Sequence, residues 1–254
     1  MKAKSAKQTL TCKQVMKRLK DLGTAQNVKT FRNHGVTGDL FGVSYANFKK
    51  LDKEIVGSQE LAEELWATGN HDARVLACWK ADEKRATIKS IDAWAREADN
   101  HVIGFEVAVF AAYTDLGARI SRKWRALANE DRCALGWRVL ASLAMQPDRS
   151  VEEGGVLDQE LLDCLPILEQ TIHGAKNRVK QNMNLALISI GCRASTSKQA
   201  LAVAKRVGVV EVDQGNTSCK TLVAHERIQH TLAHYKAKGK LPTDGAGGQR
   251  RRHC

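Results

Sequence analysis

Apolar residues recur at helical spacing along most of this chain, and polar or glycine residues separate the resulting segments. Between residues 44 and 82 this pattern predicts three consecutive helices. Candidate N-cap residues begin them, namely Ser44, Ser58 and Asn70. Gly57 and Gly69 are predicted to end the first two, and Asp72 to interact favourably with the positive end of the third. The connecting turns are so short that neighbouring helices must pack antiparallel.

The same pattern continues downstream as pairs of helices. The predicted pairs span residues 58–67 with 70–81, 84–97 with 100–112, 115–126 with 129–145, and 158–173 with 177–192. Short helix pairs cannot bury their apolar faces alone, so they stack, and a period of about 40 residues is typical of HEAT-like repeats. The sequence therefore predicts an all-α fold, a HEAT-like α-solenoid (an α–α superhelix).

The two ends of the chain are less regular. Residues 1–22 are lysine-rich and predict an amphipathic first helix, while residues 28–43 predict a short helix followed by a loop. The run VGVVEVD at 207–213 is β-like, and Pro166 predicts a kink in its helix. We assign three regions: a basic N-terminal tail at 1–7, one HEAT-like repeat domain at 8–235, and a basic, disordered C-terminal tail at 236–254.

Composition favours a polyanionic partner. The chain has 40 Lys and Arg against 28 Asp and Glu, a formal net charge of +12, which suits nucleic acid. No apolar run reaches the roughly 18 residues that a membrane span needs, and a signal-peptide core is missing. We therefore expect no membrane association and a cytoplasmic or nucleoid-associated bacterial protein. The seven cysteines lack CxxC spacing and are expected to be reduced.

Two basic clusters are candidate phosphate contacts. The first lies in the predicted pair at 115–145 and comprises Arg119, Arg122, Lys123, Arg125, Arg132 and Arg138. Trp124 and Trp137 lie between them and are predicted to be core residues. The second begins the predicted helix at 177, where backbone N–H groups favour anions, and comprises Lys176, Arg178 and Lys180. The backbone of a DNA duplex would suit both clusters, and the alternative is an ordinary solvated surface.

Four stretches of the chain resemble a known family. They are GVSYANFKKLDKEI, ELAEELWATGNHDARVLA, NRVKQNMNLALISIG and VEVDQGNTSCKT. In these stretches the chain resembles the DNA alkylation repair enzymes, the AlkD-like HEAT-repeat DNA glycosylases. The resemblance implies a basic concave surface that holds duplex DNA mainly by its phosphate backbone. Gln214 and Leu222 depart from the histidine and proline expected in the last stretch.

The resemblance also implies a chemistry, base excision. Such enzymes hydrolyse the N-glycosidic bond of purines alkylated at N3 or N7. A carboxylate stabilises the developing oxocarbenium charge and orients water. Catalytic members carry a tryptophan, an aspartate and an arginine where this chain aligns His101, Phe105 and Ala134. Asp99 and Glu106 are the remaining nearby carboxylates and are our candidate catalytic residues.

No metal or cofactor is expected. His230 and His234 are four residues apart on a predicted helix, but a third ligand at suitable spacing is missing. Walker, GxGxxG and nucleophile-elbow motifs are also missing from the sequence. We expect a monomer.

Three functional hypotheses stay open. The leading one is a DNA-binding HEAT-repeat protein of the alkylation repair type, for which excision of N3- or N7-alkylated purines through Asp99 or Glu106 stays open. The second is a non-catalytic member that binds distorted or branched DNA. The third is a HEAT scaffold for an acidic protein partner.

Overall fold

The computed structural model describes residues 7–147 and 150–243, and within these ranges the regular secondary structure is helical. The helices are α1 (Cys12–Leu22), α2 (Ala25–Asn33), α3 (Tyr45–Glu54), α4 (Gln59–Ala67), α5 (His71–Lys80), α6 (Ile88–Glu97), α7 (His101–Tyr113), α8 (Gly117–Arg125), α9 (Glu130–Ala144), α10 (Asp158–Thr171), α11 (Asn177–Gly191), α12 (Ser197–Val207) and α13 (Ala224–Ala237). β pairing in the described ranges is limited to two isolated bridges, Gln8 with Ile55 and Gly23 with Val43. The prediction of an all-α fold is confirmed.

Side-chain caps begin the three helices of the 44–82 stretch where the sequence predicted them. Ser44, Ser58 and Asn70 each accept a hydrogen bond from the backbone N–H three residues further on, at 3.1–3.2 Å. The helix after Ser44 ends at Glu54 rather than at Gly57. The reason is Lys80, whose Nζ donates to the carbonyl oxygens of Asp52 and Ile55, both at 2.7 Å, and so satisfies the helix end from a distance.

Another helix boundary differs from the predicted one for a local reason. The helix predicted from residue 84 begins at Ile88, because Thr87 and Ser90 form a capping box there. Helix α10 continues through Pro166 to Thr171. Residues 1–6, 148–149 and 244–254 lie outside the described ranges, and they include most of both predicted tails.

The β-like run at 207–213 is not a strand, which corrects the sequence-based interpretation. Val207 ends helix α12, and the residues after it lack regular structure. The side chain of Asn177 supplies the pairing that a neighbouring strand would give. Its Nδ2 donates to the carbonyl of Asp213 at 2.9 Å, and its Oδ1 accepts from the amide of Asp213 at 2.8 Å.

The chain divides into two compact units. Among the described residues, the first comprises 7–110 with 215–217, and the second comprises 111–147, 150–214 and 218–243. In the first unit the core is rich in aromatic side chains. Trp66 and Trp94 stack with ring centroids 4.4 Å apart and planes inclined by 5°.

The second unit is built around helices α8, α9 and α11. Ser121 on α8 donates to the carbonyl of Gly136 on α9 at 3.1 Å, and the short turn between these helices makes them antiparallel. Helices α9 and α11 run parallel, as shown by two hydrogen bonds that each join corresponding ends of the pair. The amide of Arg178 donates to Glu130 Oε1 at 3.1 Å at the N-terminal ends, and Arg193 Nη1 donates to the carbonyl of Gln146 at 3.0 Å beyond the C-terminal ends.

No helix in residues 7–147 and 150–243 combines the length and the apolar character needed to cross a bilayer.

Candidate nucleic-acid interface

Helix α8 in the second unit presents one cationic edge to solvent. Its inner side is buried and includes Trp124, the predicted core residue. Arg119, Arg122 and Lys123 fall three and four residues apart on the opposite, exposed side. The guanidinium of Arg122 is 2.7 Å from Glu160 on α10 and is half-exposed, so a phosphate oxygen can reach this ion pair from solvent. We call these three residues the α8 edge.

Arg125 from the first predicted cluster is mostly buried, with 13% of its side chain exposed. Its guanidinium lies over the ring of Trp137, 5.1 Å from the centroid, and donates to Cys164 Sγ at 3.1 Å. It also lies 3.4 Å from Glu160 Oε1 and donates to Ser121 Oγ. The cation–π contact and the hydrogen bonds tie α8 to its neighbours. A phosphate contact by Arg125 stays a prediction, and its packing favours a structural role.

The remaining arginines of that cluster lie on α9. The guanidinium of Arg132 sits 5.3 Å above the ring of the buried Trp124. Arg138 is only 7% exposed, in the middle of α9. Sequence spacing placed both residues on a basic stretch, but the packing of α8 against α9 encloses much of their surface. Trp137 is buried as predicted.

The second predicted cluster lies at the N-terminal end of α11. Lys176 is exposed, and Arg178 and Lys180 are half-exposed. Free backbone N–H groups at this helix end were the reason to expect phosphate there. One of them, the amide of Arg178, already donates to Glu130 Oε1 at 3.1 Å. An anion at this end therefore competes with the Glu130 carboxylate for the Arg178 amide.

In the first unit, Glu106 is enclosed. Its side chain is on α7 and the residue is 6% exposed. Oε1 accepts from the hydroxyl of Tyr45 at 3.0 Å, and Oε2 accepts from the indole N–H of Trp79 at 2.7 Å. A carboxylate held in this way on both oxygens is a buried structural anchor. It offers no free oxygen to a nucleotide outside the unit.

Asp99, the other candidate acid, lies at the surface just before α7. Its side chain is 41% exposed and its Oδ2 is 3.8 Å from the guanidinium of Arg74. Its Oδ1 accepts from the side-chain Nδ2 of Asn100 at 2.6 Å, and Asn100 Oδ1 in turn accepts from backbone N–H groups in the first turn of α7. Asp99 therefore has a fixed position at the start of the helix while remaining open to solvent.

The three positions aligned with the catalytic residues of related glycosylases offer no acid and no guanidinium. His101 begins α7, and its ring lies 5.5 Å from that of Phe105 one turn later. Ala134 is buried in α9. Within the described residues no group of three His, Cys, Asp or Glu could hold a metal ion, and the rings of His230 and His234 stack 6.5 Å apart.

Sequence reasoning missed the partners that decide these roles. Glu160 follows the α8 edge by more than thirty residues, and Tyr45 precedes Glu106 by sixty-one. No local signal links such residues. The one usable hint was the aromatic pair Tyr45 and Trp79, because buried phenol and indole groups need hydrogen-bond acceptors.

His71 is a further buried polar residue near Asp99. It begins helix α5, and its ring lies 4.9 Å from that of Phe31. Its Nε2 is buried without a hydrogen-bond partner among the described residues. Burial lowers the pKa of His71, while the charges of Asp72 and Asp99 oppose this shift. The imidazole is therefore held neutral in the folded protein.

This neutral histidine predicts a stability that depends on pH. A histidine in the unfolded chain titrates near about pH 6.5. Below that pH the unfolded state binds a proton that the folded state takes up only at lower pH, so the free energy of unfolding falls as pH decreases. The limit is about 1.4 kcal/mol per pH unit. Urea unfolding between about pH 5.5 and 7.5 should show this fall in the wild type and a flatter profile in His71→Gln. Equal profiles in both proteins would contradict the prediction, and His230→Gln on the exposed side of α13 is the control.

Three comparisons relate the chain to known proteins. The sequence profile described as DNA alkylation repair enzyme matches residues 13–208. Uncharacterized proteins of Listeria innocua and Listeria monocytogenes are 26% and 25% identical to the chain over 219 residues, covering 83% of this chain and 92% of each relative. One solved structure is described as a new family of proteins related to the HEAT-like repeat DNA glycosylases with affinity for branched DNA structures. It matches with a TM-score of 0.78 and 30% identity over 92% of this chain and 97% of the other.

The HEAT-like fold predicted from the spacing of the helix pairs is thereby confirmed. The profile covers most of both compact units, including α8, α9 and the beginning of α7. The chain belongs to the DNA alkylation repair enzyme family.

Proposed function

We propose that this protein binds branched or distorted DNA through the phosphate backbone and does not excise bases. The observation that carries the proposal is the α8 edge, where three cationic side chains share the exposed side of one helix. Cationic side chains on a rigid helix suit phosphate oxygens and carry no base specificity. A related solved protein, 30% identical, is described by its affinity for branched DNA structures, which supports the same choice of ligand.

The environment of the acids supports binding without excision. Excision needs a carboxylate close to the sugar, where charge develops in the transition state. Glu106 is enclosed between Tyr45 and Trp79 and makes no such approach. The positions aligned with the family's catalytic residues hold His101 and Phe105, which supply no carboxylate.

A second candidate function, excision, is favoured by one observation. Asp99 is 41% exposed and held in place by Asn100, so its carboxylate is available at the surface of the first unit. If excision occurs, we propose Asp99 rather than Glu106 as its acid. The guanidinium of Arg74 lies 3.8 Å from this carboxylate at the surface.

One experiment separates these functions. Binding of purified protein to a three-way junction, a four-way junction and a linear duplex of the same sequence is measured across a salt series. Release of 3- and 7-methylpurines from methylated duplex is measured in parallel. We expect tighter binding to the junctions, affinity that falls with salt, and no base release. Release that is lost in Asp99→Asn but kept in Glu106→Gln would replace the proposal by excision. If the protein bound none of these DNAs, the result would favour the hypothesis of a scaffold for an acidic protein partner.

The α8 edge makes a specific prediction within that experiment. The double variant Arg119→Gln and Lys123→Gln is expected to weaken junction binding and to lower the slope of log affinity against log salt by about 2, since each lost phosphate contact removes about 0.9. The matched control removes Lys198 and Lys205 from the exposed side of α12 in the same unit. An equal loss in the control would mean that net charge, and not the α8 edge, governs binding.

A further inference from the structure

An open groove lies on helix α1 in the first unit, and none of the residues used above for DNA binding lines it. Its volume is about 460 Å³, and it is lined by Lys13, Gln14, Met16, Lys17, Lys20 and Phe41. The apolar part of the lining comes from Met16 and Phe41, and the three lysines surround it. None of the six lining residues is acidic. The groove therefore combines a small apolar floor with a cationic rim.

The backbone of Phe41 is held in place by contacts with Asp72 and Gly23. Its amide donates to the buried Asp72 Oδ2 at 2.6 Å. Its carbonyl packs so closely on Gly23 that a Cβ at that glycine would lie 2.1 Å from the oxygen. The amides of Gly42 and Val43 also donate to Asp72, at 3.1 and 2.8 Å. The backbone that carries the ring is thus held in place before any ligand arrives, which lowers the entropy lost on binding.

The lysines form a regular row. Lys13, Lys17 and Lys20 are spaced by four and three residues, which places them on one side of α1. At about 1.5 Å per residue the row is roughly 10 Å long, which matches three intervals of about 3.4 Å between phosphates along a stacked strand. Lys17 lies 3.1 Å from Asp21, but both side chains are largely exposed, so a phosphate can replace that weak pair.

We propose that this groove binds a single-stranded DNA segment, with one base stacked on Phe41 beside Met16 and phosphates of the same strand on the three lysines. Base stacking on an aromatic ring next to a cationic track is the general mode by which proteins hold single strands without sequence preference. The inference rests on the proposed function, because a branch point is where unpaired strands occur. An amphipathic acidic peptide would need a longer apolar stripe than two side chains provide.

The test uses the full-length protein and two three-way junctions of equal length. In one junction every arm is paired, and in the other one arm is single-stranded and carries 2-aminopurine. The wild type is expected to bind the second junction more tightly and to change the fluorescence of the 2-aminopurine. Phe41→Leu keeps an apolar side chain but cannot stack, so it should lose this change and about tenfold in affinity for that junction only.

The lysine row is tested with the triple variant Lys13→Gln, Lys17→Gln and Lys20→Gln. The salt slope for the unpaired arm should fall by about 2, since single strands contribute about 0.7 per phosphate. The matched control is Lys50→Gln, Lys53→Gln and Lys89→Gln, three exposed lysines of the same unit that do not line the groove. All of these charge changes lie at the surface, so folding is expected to be unaffected and is checked by thermal unfolding.

The outcomes distinguish this inference from the proposed function. Suppose that the wild type prefers junctions over linear duplex and that the groove variants bind both junctions with the wild-type affinity. The groove assignment is then wrong and the proposed function stands. If the wild type has no junction preference, yet binds a free 2-aminopurine oligonucleotide in a manner that needs Phe41 and the lysine row, the groove assignment stands alone. Displacement of a bound oligonucleotide by a polyglutamate peptide of similar charge, with equal affinity, would overturn the single-strand inference.

Discussion

Replacing Asp72 by alanine is expected to lower the free energy of unfolding by about 3–5 kcal/mol, the range found when one partner of a buried charged network is removed. The residue is fully buried, and its carboxylate accepts from three consecutive backbone amides. These belong to Phe41, Gly42 and Val43, at 2.6, 3.1 and 2.8 Å. The variant leaves three donors without an acceptor in the protein interior, and chemical denaturation measures the loss.

A matched control separates the effect of these hydrogen bonds from the general effect of an acidic residue in the first turn of a helix. Asp131 also lies in the first turn of a helix, α9, but it is exposed. Its replacement by alanine removes only a favourable interaction with the helix dipole, about 0.3–1 kcal/mol. If both alanine variants lost the same small amount, the three hydrogen bonds of Asp72 would contribute nothing beyond that dipole effect. Asp72→Asn, which retains one acceptor oxygen, should fall between the wild type and Asp72→Ala.

Replacing Gly136 by alanine is expected to destabilise the second unit by about 3 kcal/mol or more, at the upper end of the range for overpacking. Gly136 lies where α9 crosses α8. A Cβ at this position would be 2.4 Å from the backbone nitrogen of Arg125 and 2.9 Å from the carbonyl carbon of Trp124. Backbone atoms cannot move aside as a flexible side chain can, so the helices must separate. Thermal unfolding measures the loss, and junction binding measures the effect on the α8 edge.

Gly174 provides the matched control in the same unit. An alanine Cβ there would have no neighbour closer than 3.9 Å, and the backbone conformation does not require glycine. Gly174→Ala should therefore leave stability unchanged or slightly raised, because alanine restricts the unfolded chain. A Gly136→Ala protein that unfolds at the wild-type temperature would mean that α8 and α9 tolerate a wider separation than their contact suggests.

Local features of the fold were predictable because the interactions behind them are local. A capping hydrogen bond joins residues three apart, so Ser44, Ser58 and Asn70 could be assigned from the sequence alone. The apolar spacing that defines a helix likewise repeats within four residues. These short-range rules gave the helix pairs, and their regular period gave the HEAT-like fold.

The β-like run at 207–213 shows where such rules fail. Valines at alternating positions favour a strand, but a strand also needs a partner to pair with. Here the side chain of Asn177 pairs with the backbone of Asp213 instead. The end of α3 was misplaced for a similar reason, because Lys80 reaches its last carbonyl groups from another helix.

The candidate site was predictable in its residue types but not in their roles. Sequence spacing grouped Arg122 and Arg125 on one basic helix, and charge alone made both candidates for phosphate. The packing of α8 on α9 and α10 then turned Arg125 inward, onto Trp137 and Cys164, while Arg122 stayed half-exposed. The groove beside Phe41 had no sequence signal, because its two sides are brought together by the loop that Asp72 holds.

The sequence by itself determined the helical repeats, the family resemblance and the cationic character, because these follow from residue types and short-range periodicity. The tertiary structure decided which charged groups reach solvent. Glu106 and Asp99 are seven residues apart and were equal candidates, yet one is enclosed by Tyr45 and Trp79 and the other is open. Burial depends on contacts between residues distant in the chain, and burial fixes whether a carboxylate supports the fold or can meet a ligand.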